Sequence, residues 1–162
     1  MIRFSASISV ALAVFASSQA LALDVPANWI TLAAGDAFTM QTPPGTHFRK
    51  EQGIDSFASG FDGPNFSMDF DYGIYSPTLS DLAADPKYKA EKTAIDGIPV
   101  LIVSGPGNNN FGCQKWMVAI HTGPIKQGIL GSPNTLTLGA CIENPSDIPR
   151  IRTIFQTLKF HR

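Results

Sequence analysis

Asp69 and Asp71 stand two residues apart in the segment FSMDFDYGIY, residues 66–75. On an extended chain that spacing puts both carboxylates on one face. If the segment carrying Asp55 pairs alongside, three carboxylates converge, a donor set suited to a hard cation such as calcium. Asp55, Asp69 and Asp71 are therefore the candidate metal residues, with Asp62 close by in sequence. Neighbouring carboxylates also split their pKa values, as acid/base hydrolysis needs. The chain has no EF-hand spacing, and the solvated face of an amphipathic strand accounts for the same pattern. That simpler reading is preferred, so no metal and no cofactor is assigned.

The three histidines are His47, His121 and His161. His47 follows a Pro-Pro-Gly turn, His121 ends an apolar run, and His161 is penultimate. Serine hydrolysis on a strained elbow needs Gly-x-Ser-x-Gly, and the sequence has none. No catalytic residue is assigned. Residues 105–112 (GPGNNNFG) resemble a phosphate loop only in glycine content. The Gly-Lys-Ser/Thr ending is missing and a strand follows instead of a helix. This reads as a recognition loop offering amides and the Phe111 ring. Tyr75 is a candidate surface aromatic for a sugar or peptide, although packing is the commoner fate of such a ring.

The only cysteines are Cys113 and Cys141. Neither lies in Cys-x-x-Cys and no His stands at a zinc-ligand offset. In an oxidising compartment an even count favours pairing. Residues 114–122 and 135–142 read as strands, with Gly and Pro between them. Folding that hairpin about residue 127 sets Cys113 opposite Cys141, Trp116 opposite Leu138 and Val118 opposite Leu136. The predicted apolar face holds Trp116, Val118, Ile120, Leu136, Leu138 and Ala140. The other face holds Met117, His121, Thr135 and both sulfurs.

The compartment is read from the first 22 residues. Arg3 supplies a positive start, residues 4–16 are uncharged and mostly apolar, and Ala20-Leu21-Ala22 provides small residues for cleavage. The run is too short and too serine-rich for a membrane span. No Cys follows the cleavage point to carry a lipid anchor. Residues 1–22 are read as a signal peptide, and the protein is expected to be exported, to the periplasm or beyond. The remaining 140 residues carry eleven basic and thirteen acidic side chains. That balance excludes a broad basic surface for nucleic acid. Residues 23–162 are long enough to bury a core of their own as one domain.

Short apolar segments at 28–32 and 38–42 read as a hairpin closed by Pro43-Pro44-Gly45. Residues 54–61 read as a strand. In 66–75, Phe66, Met68, Phe70 and Tyr72 alternate with Ser67, Asp69 and Asp71, the mark of a half-buried antiparallel strand. Residues 78–84 and 86–94 are rich in Ala, Leu, Lys and Glu and read as one interrupted helix or two short ones, broken at Pro86. Residues 98–104 form a near-continuous apolar strand, placed centrally. Ser146 can cap a helix over 147–158, with Ile148, Ile151, Ile154, Phe155 and Leu158 at helical spacing. Lys159 and Phe160 follow as a short extended tail. The expected fold is α+β: six to seven antiparallel strands under a broken central helix and a C-terminal amphipathic helix.

This order of elements resembles the Mog1/PsbP-like α/β/α sandwich group, including its exported bacterial members. The residues carrying the resemblance are the opening hairpin with its Pro-Pro-Gly end, a middle helical segment leading through IDGIPVLI at 95–102 into a central strand, and IFQTLKF at 154–160 on a helix. The resemblance implies a binding or accessory role and no shared active site, and it assigns no site residue. The functional expectation is an exported, non-catalytic binding or accessory protein with an unidentified protein or small-molecule partner. The alternatives are a small secreted metal-assisted hydrolase using the Asp cluster, and an accessory subunit of an envelope complex.

Overall fold

The computed structural model describes residues 23–49, 56–128 and 131–162. The expected leader at 1–22 and the candidate Asp55 lie outside the described residues. Turn chemistry sets the first element pair. β1 (Ile30–Ala34) and β2 (Phe38–Thr42) form an antiparallel hairpin, with Ile30 opposite Thr42 and Ala34 opposite Phe38. Thr46 N–H and Oγ1 both donate to the Pro43 carbonyl, closing the Pro-Pro-Gly turn. The chain then enters β3 (His47–Arg49), β4 (Phe57–Gly63) and β5 (Phe66–Gly73).

β5 shows the alternation its sequence announces. Phe66, Met68, Phe70 and Tyr72 are buried, while Asp69 is exposed and Asp71 half-buried. A short helix α1 (Ser80–Ala84) follows, and then strands β6 (Lys89–Ile95), β7 (Ile98–Pro106), β8 (Trp116–Thr122), β9 (Lys126–Gln127) and β10 (Pro133–Ile142). The chain closes with helix α2 (Ile148–Gln156) and β11 (Lys159–Phe160).

The strands form two sheets. The small one has the order β1-β2-β11, and the large eight-stranded one runs β3-β4-β5-β10-β8-β7-β6, with β9 beside β10. The expected α+β arrangement of six to seven strands under a broken central helix is therefore wrong: the protein is mostly β. The error lies in residues 86–94. Their Ala, Lys and Glu content favours a helix, yet after a turn at 86–88 they enter the edge strand β6 at Lys89. Asp96 and Gly97 both have positive φ, 50° and 76°. Two such residues make the tight turn that matches strand twist, and Ile95 pairs with Ile98 across it. Pairing of all of β6 with β7 outweighs the weak local preference. β6 is solvent-exposed from Lys89 to Ala94. It therefore carries no apolar alternation from which a strand could be read. For the same reason β7 is next to the edge, and β10 holds the centre.

The main core lies between the inner face of the large sheet, the small sheet and α2. It joins Phe38 and Met40, the buried residues of β5, Val118 and Ile120, Leu136 and Leu138, and Ile151, Ile154 and Phe155 of α2. Burying each such aliphatic or aromatic side chain contributes roughly 1.5–3 kcal/mol. Helix α2 thus presents the stripe its spacing predicts. Its lead-in differs in one respect: Asn144, not Ser146, caps a 3-10 turn over Pro145–Asp147, its Oδ1 accepting from Ser146 N–H at 3.0 Å. The tail at Lys159 and Phe160 docks on β2 as β11. No helix among the described residues is long and apolar enough to cross a membrane.

Candidate functional site

The outer face of the large sheet carries the chemistry. A disulfide joins Cys113 to Cys141, with Cα atoms 5.3 Å apart. It is not the cross-strand pair that a simple hairpin predicts. Trp116 faces Ile142, Val118 faces Ala140, and Cys141 lies opposite Met117. The register is displaced by four residues from the expected one. Residues 126–127 pair with 133–134 as a small extension, so the hairpin does not turn about residue 127. An even displacement keeps every side chain on its expected face. Cys113 lies ahead of β8, in the loop that leaves β7. The bridge therefore pins that loop down onto the sheet.

The pinned loop forms one wall of an open cleft of about 510 Å3. Its floor is Asp69, Asp71, Thr137, Gly139 and Cys141, on β5 and β10. Thr78, Asp81 and Leu82, at and just before α1, form one wall, and Asn108, Phe111 and Cys113 the other. Phe111 lies over Gly139. Beneath the loop and α1 sits a second apolar cluster of Leu79, Val103, Cys113, Met117 and Ala119. That cluster holds both walls in place. Asn108 Nδ2 also donates to the Tyr88 hydroxyl at 3.4 Å.

A hydrogen-bond network fixes the approach to α1. Ser76 Oγ lies 3.0 Å from the Asp71 carbonyl and 2.8 Å from Thr137 Oγ1. Thr137 Oγ1 donates to the Pro77 carbonyl and lies 2.8 Å from His121 Nδ1. Burial holds the His121 pKa below its ordinary value, partly offset by a bond to the Pro77 carbonyl. His121 supports the cleft through this network, with burial disfavouring its charged form. Thr137 is itself buried, and its proton is taken by Pro77.

The structure places the predicted acidic residues as follows. Asp69 and Asp71 do share a face, as their spacing requires. Arg49, on β3, reaches across β4 to bind Asp62 at 2.6 Å and also Asp69. Gly60 makes that crossing feasible. A Cβ there would run into the guanidinium and stand 2.6 Å from the Met68 carbonyl oxygen. Asp71 lines the cleft, and its Oδ1 is closed off from solvent with no hydrogen-bond partner. Among the described residues, no three His, Cys, Asp or Glu side chains gather as metal ligands. His47 lies 4.0 Å from Asp62 on the exposed β3 edge. Tyr75 is 70% exposed and so is not packed as the commoner reading held.

Sequence reasoning missed Asp81, Thr78 and Leu82 as site residues. Treating their segment as half of a long helix hid them. The available signal was Cys113, whose bridge fixes where the glycine- and asparagine-rich loop must lie. Compared with family models, curated proteins and solved structures, the chain matches none.

Proposed function

We propose that the chain is an exported, non-catalytic binding protein that takes a small molecule in the outer cleft. The observation that carries this reading is the cleft itself. Its size falls within the roughly 300–1,000 Å3 typical of ligand sites. Its walls are braced by a disulfide, a second apolar cluster and the His121–Thr137–Ser76 network. Its lining sets the Asp71 and Asp81 carboxylates beside the Phe111 ring and Leu82. The disulfide agrees with export, because such bridges persist in oxidising compartments. The leader-like residues 1–22 support the same destination.

Two measurements test the proposal. Expression of the full chain in a bacterial host, followed by fractionation and N-terminal sequencing, should yield exported protein beginning at Leu23. A thermal-shift screen of small molecules should give stabilising hits that Leu82→Arg abolishes by filling the cleft. Cytoplasmic, uncleaved protein would remove the export reading. Hits indifferent to Leu82→Arg would remove the cleft as the binding site.

A further inference from the structure

Resting on the reading of the cleft as a ligand site, we propose that its occupant is a small organic cation: an ammonium group carried on an apolar body. The cleft lining combines carboxylates with an aromatic and an aliphatic wall, and among the described residues no Lys, Arg or His lines it. Asp69 is offset by Arg49, which leaves Asp71 on the floor and Asp81 on the α1 wall. An anion entering here meets two carboxylates and no basic side chain. A bare divalent cation does not find three converging ligand side chains among the described residues. The half-buried Asp71 and the exposed Asp81 line the cleft as carboxylate acceptors, and an ammonium brings three donors to meet them. Phe111 over Gly139 and Leu82 opposite supply the surface for an apolar body. A ring face beside the ammonium adds attraction, because its quadrupole favours cations.

The experiment uses the purified, disulfide-bonded chain and matched probes. 2-Phenylethylamine and tryptamine are compared with 2-phenylethanol and tryptophol, their neutral counterparts, and with 3-phenylpropionate, an anion of similar shape. Binding is followed by calorimetry and by backbone amide NMR shifts. The amines are expected to bind about tenfold more tightly than the alcohols, as charge-assisted hydrogen bonds exceed neutral ones. Shifts should concentrate at residues 78–82, 108–113 and 137–141. Asp81→Asn, on an exposed helix position, should weaken the amines about three- to fivefold and leave the alcohols unchanged. Asp36→Asn, in the exposed β1–β2 turn, should change neither. Raising sodium chloride should weaken the amines selectively. Alcohols or the carboxylate binding as well as the amines at those residues would overturn the cationic ligand while leaving the cleft as the site. Probes of every charge leaving those residues unmoved would overturn both.

Discussion

Asp96 joins the two sheets, and its replacement has a calculable cost. Its carboxylate, at the β6–β7 turn of the large sheet, accepts from Phe160 N–H in the small sheet at 3.0 Å. Lys159 Nζ donates to it at 3.1 Å, and Arg162 lies 3.8 Å away. The Phe160 bond is the main reason its pKa lies below the usual carboxylate value, with Lys159 and Arg162 adding to it and burial opposing. Asp96→Asn keeps an acceptor for Phe160 and a residue tolerant of positive φ, and removes only the charge. Charged hydrogen bonds contribute about 1.5–3 kcal/mol and neutral ones about 0.5–1.5, so the expected loss is about 1 kcal/mol. Asp96→Ala strands the Phe160 N–H and leaves at φ 50° a residue without the short polar side chain that lets Asp and Asn tolerate that conformation. The two effects together cost about 3 kcal/mol. For a domain of this size each kcal/mol moves Tm by about 3–4 °C, giving losses of about 3–4 °C and about 10 °C.

The pH dependence follows from the direction of the shift. A carboxylate with a depressed folded pKa contributes fully above its unfolded value near 3.8 and loses that contribution as pH falls through the folded one. The gap between wild type and Asp96→Asn should therefore be full at pH 7 and close below pH 3.8. Urea titrations at pH 7, 4 and 2.5 read it directly. An Asn variant as stable as wild type at pH 7, or a gap that persists unchanged at pH 2.5, would refute the charged clasp.

Three further outcomes follow from the same geometry. Replacing both Cys113 and Cys141 by Ser opens a loop whose ends are 28 residues apart; chain entropy puts the loss at about 3.6 kcal/mol, so melting with and without reductant should differ by about 12 °C in wild type and not in the variant. Burial lowers the His121 pKa, so stability should fall as pH drops from 6.5 toward its lowered folded pKa, and melts of His121→Gln should lack that segment of the pH profile. Gly60→Ala should cost about 1–3 kcal/mol by denaturant titration, because the new Cβ meets both Arg49 and the Met68 carbonyl.

Much of the fold is legible where burial is one-sided. β5 alternates because one face meets the core and the other the cleft, so Phe66, Met68, Phe70 and Tyr72 declare themselves. Helix α2 shows its stripe for the same reason, and the two cysteines find each other. β6 is illegible because it is exposed on both faces and is made a strand only by pairing with β7. The β8–β10 register was misread because the connection adds a short pairing, which residue spacing alone does not reveal. Asp69 and Asp71 were found through their period of two. The neutralisation of Asp69 by Arg49 depends on Gly60, where a missing side chain leaves no positive signal. Asp81 escaped notice because the cleft brings together segments about 30 residues apart, joined by a bridge whose consequence for the loop is three-dimensional.

The most direct test of the outer cleft as the ligand site is a crystal structure of the disulfide-bonded protein soaked with hits from the thermal-shift screen. Ligand density between Leu82 and Phe111, above Thr137 and Gly139, with an atom within hydrogen-bond reach of Asp71 or Asp81, is the predicted result. Density only at other surfaces, with the cleft filled by water alone, would contradict it.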